Sequence, residues 1–179
     1  KSILTAFLLF AVLLAASAQA PRKVTLPKLI SDKMVLQRDV ELDIWGWADP
    51  GTWVTVRFNG AYYEAQTGED GKWMVTMPPQ PAGGPYLMEV NEISIRDVLV
   101  GDVWICSGQS NQETPIQRLT EMFPEINVSN NNMIRHYKVP TQDSKEALQE
   151  EIAGDIKWIS GVSSEIMSWT ALAYFYAQE

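Results

Sequence analysis

The sequence predicts a mixed fold, with an antiparallel β-sandwich over residues 21–97 and the first part of an α/β domain over residues 98–179. Residues 24–95 contain short segments in which polar and apolar residues alternate, separated by turn sequences, and this pattern is typical of antiparallel strands. From Val98 the alternation gives way to a nearly continuous apolar run, which is typical of a strand buried on both faces. The change of pattern places the domain boundary near residue 98.

The first twenty residues have the composition of a secretory signal. Lys1 precedes an apolar run over residues 3–16, and Ala18-Gln19-Ala20 follows as a small-residue exit. A membrane anchor needs about 20 apolar residues, and this run is shorter. We therefore expect a signal peptide over residues 1–20, a mature N-terminus at Pro21, and a secreted or periplasmic protein with no membrane contact after cleavage.

Composition excludes several classes of function. The chain has 179 residues with 14 Lys and Arg against 22 Asp and Glu, so its formal charge is −8. This acidic balance argues against a nucleic-acid-binding protein, which needs a basic surface. The single cysteine, Cys106, excludes an internal disulfide, and no group of potential ligands suggests a metal site. We expect neither a metal nor another cofactor.

The predicted strands of the sandwich lie at residues 41–45, 54–58, 62–66, 72–77, 86–90 and 93–95. Turn sequences separate several of them, such as Asp49-Pro50-Gly51 and Asn59-Gly60, where Pro presets φ and Gly accepts a positive φ. Four tryptophans in this region fit either a carbohydrate-binding surface or a β core, and core packing is the favoured interpretation. They are Trp45, Trp47, Trp53 and Trp73.

Ser110 lies where a nucleophile is found in many α/β hydrolases, in a tight turn between a buried strand and a helix. The apolar run over residues 98–106 leads into Ser107-Gly108-Gln109-Ser110-Asn111. Thr114 and Pro115 then form a helix start, and the predicted helix stops before Pro124. Serine is also common as a plain turn residue, and Gln112 stands where the Gly-x-Ser-x-Gly pattern has its second Gly. The pattern alone leaves both interpretations open.

Residues 101–111 resemble the nucleophile block of the sialate O-acetylesterase family, which are hydrolases of the SGNH kind. Further segments resemble the same family on both sides of that block, at residues 26–38, 44–51, 70–73, 82–86, 132–135 and 168–177. The resemblance implies a flavodoxin-like α/β hydrolase domain after the sandwich. It also implies a carbohydrate O-acetylesterase that removes acetyl groups from sialic acid or related sugars.

The resemblance assigns Ser110 as the nucleophile, and Gln109 and Asn111 as oxyanion or turn-shaping residues. Gln112 replaces the Met that the family usually has. The family's Asp-x-x-His block has no counterpart before Glu179, so we expect the catalytic Asp and His beyond residue 179, a truncated hydrolase domain, and no activity in this piece alone. His136 is then expected to be a surface or structural residue.

An alternative from a different class of protein remains open: a non-catalytic, exported sugar-binding or spacer module in which the β-sandwich performs the function. The Gln112 replacement favours this alternative, and the intact Gly-Gln-Ser-Asn block favours the esterase.

Overall fold

The computed structural model describes residues 23–128, 130–140, 151–152 and 154–179, which form mostly β-structure with few helices. The predicted signal peptide lies outside the described residues. The strands are β1 (Val35–Gln37), β2 (Leu42–Trp47), β3 (Trp53–Phe58), β4 (Ala61–Gln66), β5 (Lys72–Met77), β6 (Gly83–Val90), β7 (Ile93–Gly101), β8 (Asn130–Tyr137) and β9 (Trp158–Val162). The helices are α1 (Ser163–Ile166), α2 (Ala171–Gln178) and two 3₁₀ helices, Ile116–Arg118 and Pro124–Val128. In the described part of the chain, no helix has the length and apolar character needed to cross a membrane.

The first seven strands form two sheets. One has five strands in the order β1-β7-β6-β3-β4, and the other is the antiparallel pair β2–β5. The strand predictions over residues 41–95 are confirmed, but β1 was not predicted because a three-residue strand is too short to show an alternating pattern. β1 also departs from the antiparallel expectation, since it runs parallel to β7 with Val35 opposite Leu99.

The two sheets share one hydrophobic core. Alternation along β2, β3 and β5 turns every second side chain inward, and the strands β4 and β5 come close to each other although they share no ladder. The buried side chains that fill this core from both sheets include Ile44, Val54, Val56, Val75, Met77, Met88 and Val90. Burial of these side chains supplies the main driving force for folding this region.

The apolar run that begins at residue 98 belongs to a different sheet from the one predicted. Val98, Leu99 and Val100 are buried, as expected, but they are the last part of β7 in the five-stranded sheet and do not begin a second sheet. Val98 and Val100 are buried because their side chains belong to the core between the sheets, and β1 and β6 pair with the two edges of β7. β7 ends at Gly101, so the strand predicted to reach Cys106 is wrong over its second half.

The described residues after Pro115 build a second, smaller cluster around Ile116, Ile126, Ile166, Trp169 and Tyr174. β8 and the helix α2 confirm the strand and helix that the resemblance implied at residues 132–135 and 168–177. The helix predicted to begin at residue 116 and to stop before Pro124 is instead a short 3₁₀ helix followed by turns. β8 pairs with β9 in an antiparallel ladder, whereas the sequence predicted a parallel sheet.

The contacts that join this second cluster to the earlier part of the chain include one made by Trp158 and one made by Arg135. The indole Nε1 of Trp158 donates to the carbonyl of Leu29 at 2.8 Å. The guanidinium of Arg135, whose side chain is only 3% exposed, forms an ion pair of 2.8 Å with Asp97 at the middle of β7. A buried guanidinium needs such a partner because an unpaired buried charge is strongly destabilising. These contacts fix the second cluster against the strand that leads to Ser110.

The tryptophan prediction is correct for one residue and wrong for two. Trp73 is 3% exposed and belongs to the core, whereas Trp45 and Trp53 are 37% and 62% exposed. Because Ile44 of β2 and Val54 of β3 point inward, the neighbouring Trp45 and Trp53 must point outward. Trp47 is half-buried.

We expect Gly46→Ala to lower the free energy of unfolding by about 2 kcal/mol, because the new methyl group overpacks a filled site. A Cβ at this position would lie 2.2 Å from the carbonyl oxygen of Thr25 and 2.9 Å from Cζ2 of Trp73. Urea titration monitored by tryptophan fluorescence measures the change. The matched control is Gly101→Ala, whose Cβ would meet only Val35 Cγ1 at 3.8 Å. Equal stability of the two variants would contradict the packing argument.

Candidate active site

Residues at the end of β1 and directly after it bind the residues that follow β7. The guanidinium of Arg38 donates to the carboxylate of Asp102 at 2.8 Å, and this hydrogen bond raises the pKa of Arg38. The side-chain oxygen of Gln37 accepts from the backbone N–H of Val103, also at 2.8 Å. Both contacts act directly after the strand ends, so they set the direction in which the chain leaves the sheet towards Ser110.

Residues 102–108 have no regular secondary structure, and their apolar side chains are exposed. Ile105 is 96% exposed and Trp104 is 64% exposed, although the ring of Trp104 packs edge-on against Tyr176 at 5.2 Å between centroids. The contact brings the segment that precedes Ser110 next to helix α2. The chain therefore crosses from the first sheet to the second cluster within these residues.

Ser110 lies in the tight turn that the sequence predicts. The carbonyl of Gln109 accepts from the N–H groups of Gln112 and Glu113 at 2.9 and 3.3 Å, and the carbonyl of Ser110 accepts from Glu113 at 3.2 Å. Ser110 itself is exposed, and its hydroxyl has no hydrogen-bond partner among the residues that the structure describes. Its oxygen is therefore accessible to a substrate.

Gln109 shapes this turn through its backbone carbonyl, which accepts two hydrogen bonds. The side chain of Asn111 is exposed, and its carbonyl accepts from the N–H of Thr114 at 3.3 Å. The N–H groups of Ser110 and Asn111 donate to no described acceptor. Free N–H groups at the start of a helical turn are the kind of donor that stabilises an oxyanion.

Gln112 packs on the inner side of the turn. A Cβ at Gly108 would lie 3.0 Å from the Cβ of Gln112, so the turn leaves little space between these two positions. The Gln112 amide donates to the hydroxyl of Thr170 at 3.3 Å, and this contact links the turn to the residue before α2. The sequence identified Gln112 as a departure from the family pattern but gave no sign of its partner, which is 58 residues away.

The segment after the turn is joined to the segment before α2 by backbone hydrogen bonds. The N–H of Ile116 donates to the carbonyl of Trp169 at 3.0 Å, and the N–H of Ala171 donates to the carbonyl of Thr114 at 2.9 Å. Gln117 adds a third bond of 3.1 Å to residue 167. Because Ile116 and Trp169 are also buried, these bonds are shielded from water, which anchors the turn on a packed cluster.

His136 is a structural residue rather than a base for Ser110. Its ring packs on Trp169 at 4.9 Å between centroids with an interplanar angle of 31°. Its Nδ1 is buried and has no hydrogen-bond partner in the described part of the chain. Burial, together with the charge of Lys138, lowers the pKa of His136 to about 4. A general base works best with a pKa near the operating pH, so this imidazole is poorly suited to accept the Ser110 proton.

No group of three or more His, Cys, Asp or Glu side chains in the described residues is arranged to hold a metal ion. The Ser110 turn itself offers an accessible hydroxyl beside free backbone N–H groups.

Ser110 is thus an exposed serine in a tight turn, separated from the buried strand β7 by the irregular residues 102–108. The chain is 29% identical over 153 residues to the sialate O-acetylesterases of Homo sapiens and Pongo abelii, a match that covers 76% of this chain and 29% of each relative. The Mus musculus sialate O-acetylesterase is also 29% identical, over 145 residues, with 72% of this chain and 27% of the relative covered. The chain matches no protein-family profile.

A solved structure gives a stronger match. The crystal structure of a carbohydrate acetylesterase from Xanthomonas citri superposes with a TM-score of 0.81 at 34% sequence identity, and the match covers 87% of this chain and 37% of that protein. The resemblance to sialate O-acetylesterases inferred from the sequence is confirmed. The chain spans 29% of the length of the human relative.

We expect the protein to lose stability as the pH falls from about 6.5 to about 4, in part because of His136. The folded-state pKa lies below the unfolded value of about 6.5, so in this window the unfolded state binds a proton that the native state does not. At pH 5 we expect a loss of about 1 to 2 kcal/mol relative to pH 7 from this residue. Urea unfolding at the two pH values measures it.

His136→Phe is the matched control, because it keeps a ring against Trp169 and removes the titration. The variant should show a smaller loss between pH 7 and pH 5 than the parent protein. An identical loss in both proteins would show that His136 is not buried in its neutral form.

Proposed function

We propose that the protein containing this chain is a carbohydrate O-acetylesterase with Ser110 as its nucleophile. The main support for the proposal is the accessible hydroxyl of Ser110, which lies in a turn that backbone hydrogen bonds attach to the second cluster around Trp169. The block around Ser110 resembles the nucleophile block of the sialate O-acetylesterase family, and the relatives are named as acetylesterases. The substrate is an O-acetylated sialic acid or a related O-acetylated sugar.

In the first step, Ser110 Oγ attacks the acetyl carbonyl carbon and its proton passes to a general base. The negative charge that develops on the carbonyl oxygen is stabilised by backbone N–H groups, for which those of Ser110 and Asn111 are available. Collapse of this intermediate expels the sugar oxygen, which takes the proton from the base. Water then gives a proton to the base and attacks the acetyl carbonyl carbon, the bond to Ser110 Oγ breaks, Ser110 takes the proton back from the base, and acetate is released.

The base is the part of this mechanism that the described residues do not supply. His136 is buried against Trp169 with a pKa of about 4, so we propose that the base is a histidine beyond residue 179 in the Asp-x-x-His block of the family. An isolated serine hydroxyl is a weak nucleophile. Residues 1–179 alone should therefore be inactive.

We propose a sandwich of two facing sheets that ends with β7, and an SGNH-type α/β hydrolase domain that begins after Gly101. The core shared by the five-stranded sheet and the β2–β5 pair supports the sandwich. The second cluster and the esterase relatives support the hydrolase domain. In this arrangement β7 belongs to the first domain and delivers the chain to the second.

We expect Ser110→Ala to lower the rate of acetyl ester hydrolysis by the full-length enzyme on the order of 10⁴-fold or more, because the nucleophile is lost. The control is Ser94→Ala, an exposed serine of β7 outside the candidate site, which should keep the parent rate. A serine-directed fluorophosphonate should label the parent on Ser110, as read by peptide mass spectrometry. Unchanged hydrolysis by Ser110→Ala would refute the nucleophile assignment.

We also propose that the chain is exported and that residues 1–20 are removed, because Ala18-Gln19-Ala20 ends the apolar run. N-terminal sequencing of the exported protein should begin at Pro21. Substitution of Ala18 and Ala20 by Arg should block cleavage, because the site requires small residues. A secreted protein that still begins near Lys1 would contradict this assignment.

A further inference from the structure

An open groove of about 600 Å³ lies on the first domain, formed by β2, β5 and the end of β4. It involves no residue of the Ser110 turn, which follows β7. Its lining combines aromatic side chains with a few polar ones, and this combination is typical of sites for small polar organic ligands.

The groove has an exposed indole at its side. Trp45 points outward from β2 and lies opposite Met74 of β5, in the same register of the antiparallel ladder. The two side chains are 37% and 57% exposed, so an apolar strip is open to solvent on this face. Trp45 keeps more than a third of its surface in water, and this exposed part of the indole can pack against a ligand.

The floor of the groove is rigid. Gly46 has no side chain, and the ring of Trp73 fills the space below it, with Cζ2 lying 2.9 Å from where a Cβ of Gly46 would stand. Trp73 is 3% exposed and is held in the core. A ligand that enters the groove therefore meets a preformed surface, and little ordering of the protein is needed on binding.

Hydrogen-bonding groups lie at the edge of the groove. The Gln66 amide nitrogen donates to the carbonyl of Gly51 at 3.2 Å, and its side-chain oxygen has no partner among the described residues. One oxygen of Asp70 accepts from the backbone N–H of Lys72 at 3.1 Å, so this carboxylate is fixed in position. Amide and carboxylate oxygens accept hydrogen bonds from hydroxyl groups.

The charge of the groove favours a neutral ligand. Its lining carries one carboxylate, Asp70, and one ammonium group, Lys72, which balance each other. The whole chain has a formal charge of −8, so its long-range field repels anions. A ligand with an apolar face, many hydroxyl groups and no net charge fits this environment best, and a pyranose ring has these three properties.

We propose that this groove binds a neutral saccharide, with the apolar face of one pyranose ring stacked on Trp45 and its hydroxyl groups directed to Gln66 and Asp70. The site is separate from the acetyl ester chemistry, so it holds a polysaccharide chain independently of the catalytic serine. The inference does not rest on the activity of Ser110.

The test uses unacetylated cellohexaose, xylohexaose and mannohexaose as neutral probes, and an α2,8-linked disialic acid as an anionic probe. Isothermal titration of the protein should give a Kd on the order of 1 mM or lower for at least one neutral hexasaccharide. Trp45→Ala should weaken this binding at least tenfold. Gln66→Ala should weaken it by about fivefold, because one hydrogen bond is lost.

The matched control is Tyr62→Ala, which removes an aromatic ring that is 66% exposed but does not line the groove. Its Kd should stay within twofold of the parent value, and the Kd of Ser110→Ala should also be unchanged. The proposal is overturned if no neutral hexasaccharide binds at 10 mM, if the disialic acid binds more tightly than all of them, or if Trp45→Ala binds like the parent. Loss of acetyl esterase activity in any variant would bear on Ser110 and not on this groove.

Discussion

The backbone hydrogen bonds between the segment after Ser110 and the segment before α2 are the constraint on which the candidate site depends. Ile116 and Gln117 donate to carbonyls of residues 169 and 167, and Thr114 accepts from Ala171. These pairs are separated by about fifty residues in the chain, so they form only when the second cluster has packed. The position of Ser110 is therefore a product of tertiary structure, although the turn itself is local.

The other end of the turn is held by a different part of the fold. β1 pairs with the last residues of β7, and Arg38 and Gln37 bind the two residues that follow β7. The exposed segment between these anchors, residues 102–108, has no ladder of its own. The Arg135–Asp97 ion pair connects the two anchored regions, since it links β8 to β7. The two ends of the segment that carries Ser110 are therefore positioned by the five-stranded sheet and the second cluster, which pack against each other.

Local patterns predicted the parts of this structure that are decided locally. The alternation at residues 72–77 gives the bounds of β5, and the Gly-Gln-Ser-Asn sequence gives the turn at Ser110. Local patterns could not predict which distant segments pair with each other. The apolar run from Val98 indicated a buried strand, but it carried no information on whether that strand pairs with β1 in the first sheet or begins a new one. The link from Gln112 to Thr170 is equally non-local.

The tryptophans show how one periodicity produces both a core and a candidate binding surface. In β2 and β5, the register that places Val75 opposite Ile44 in the core also places Met74 opposite Trp45 on the outer face. A core alone requires only that the inward positions be apolar, and a polar residue at position 45 would satisfy the fold equally well. An indole at an outward position has a cost in exposed apolar surface that the core does not offset. The presence of Trp45 and Met74 side by side is accordingly better explained by a ligand on that face than by folding.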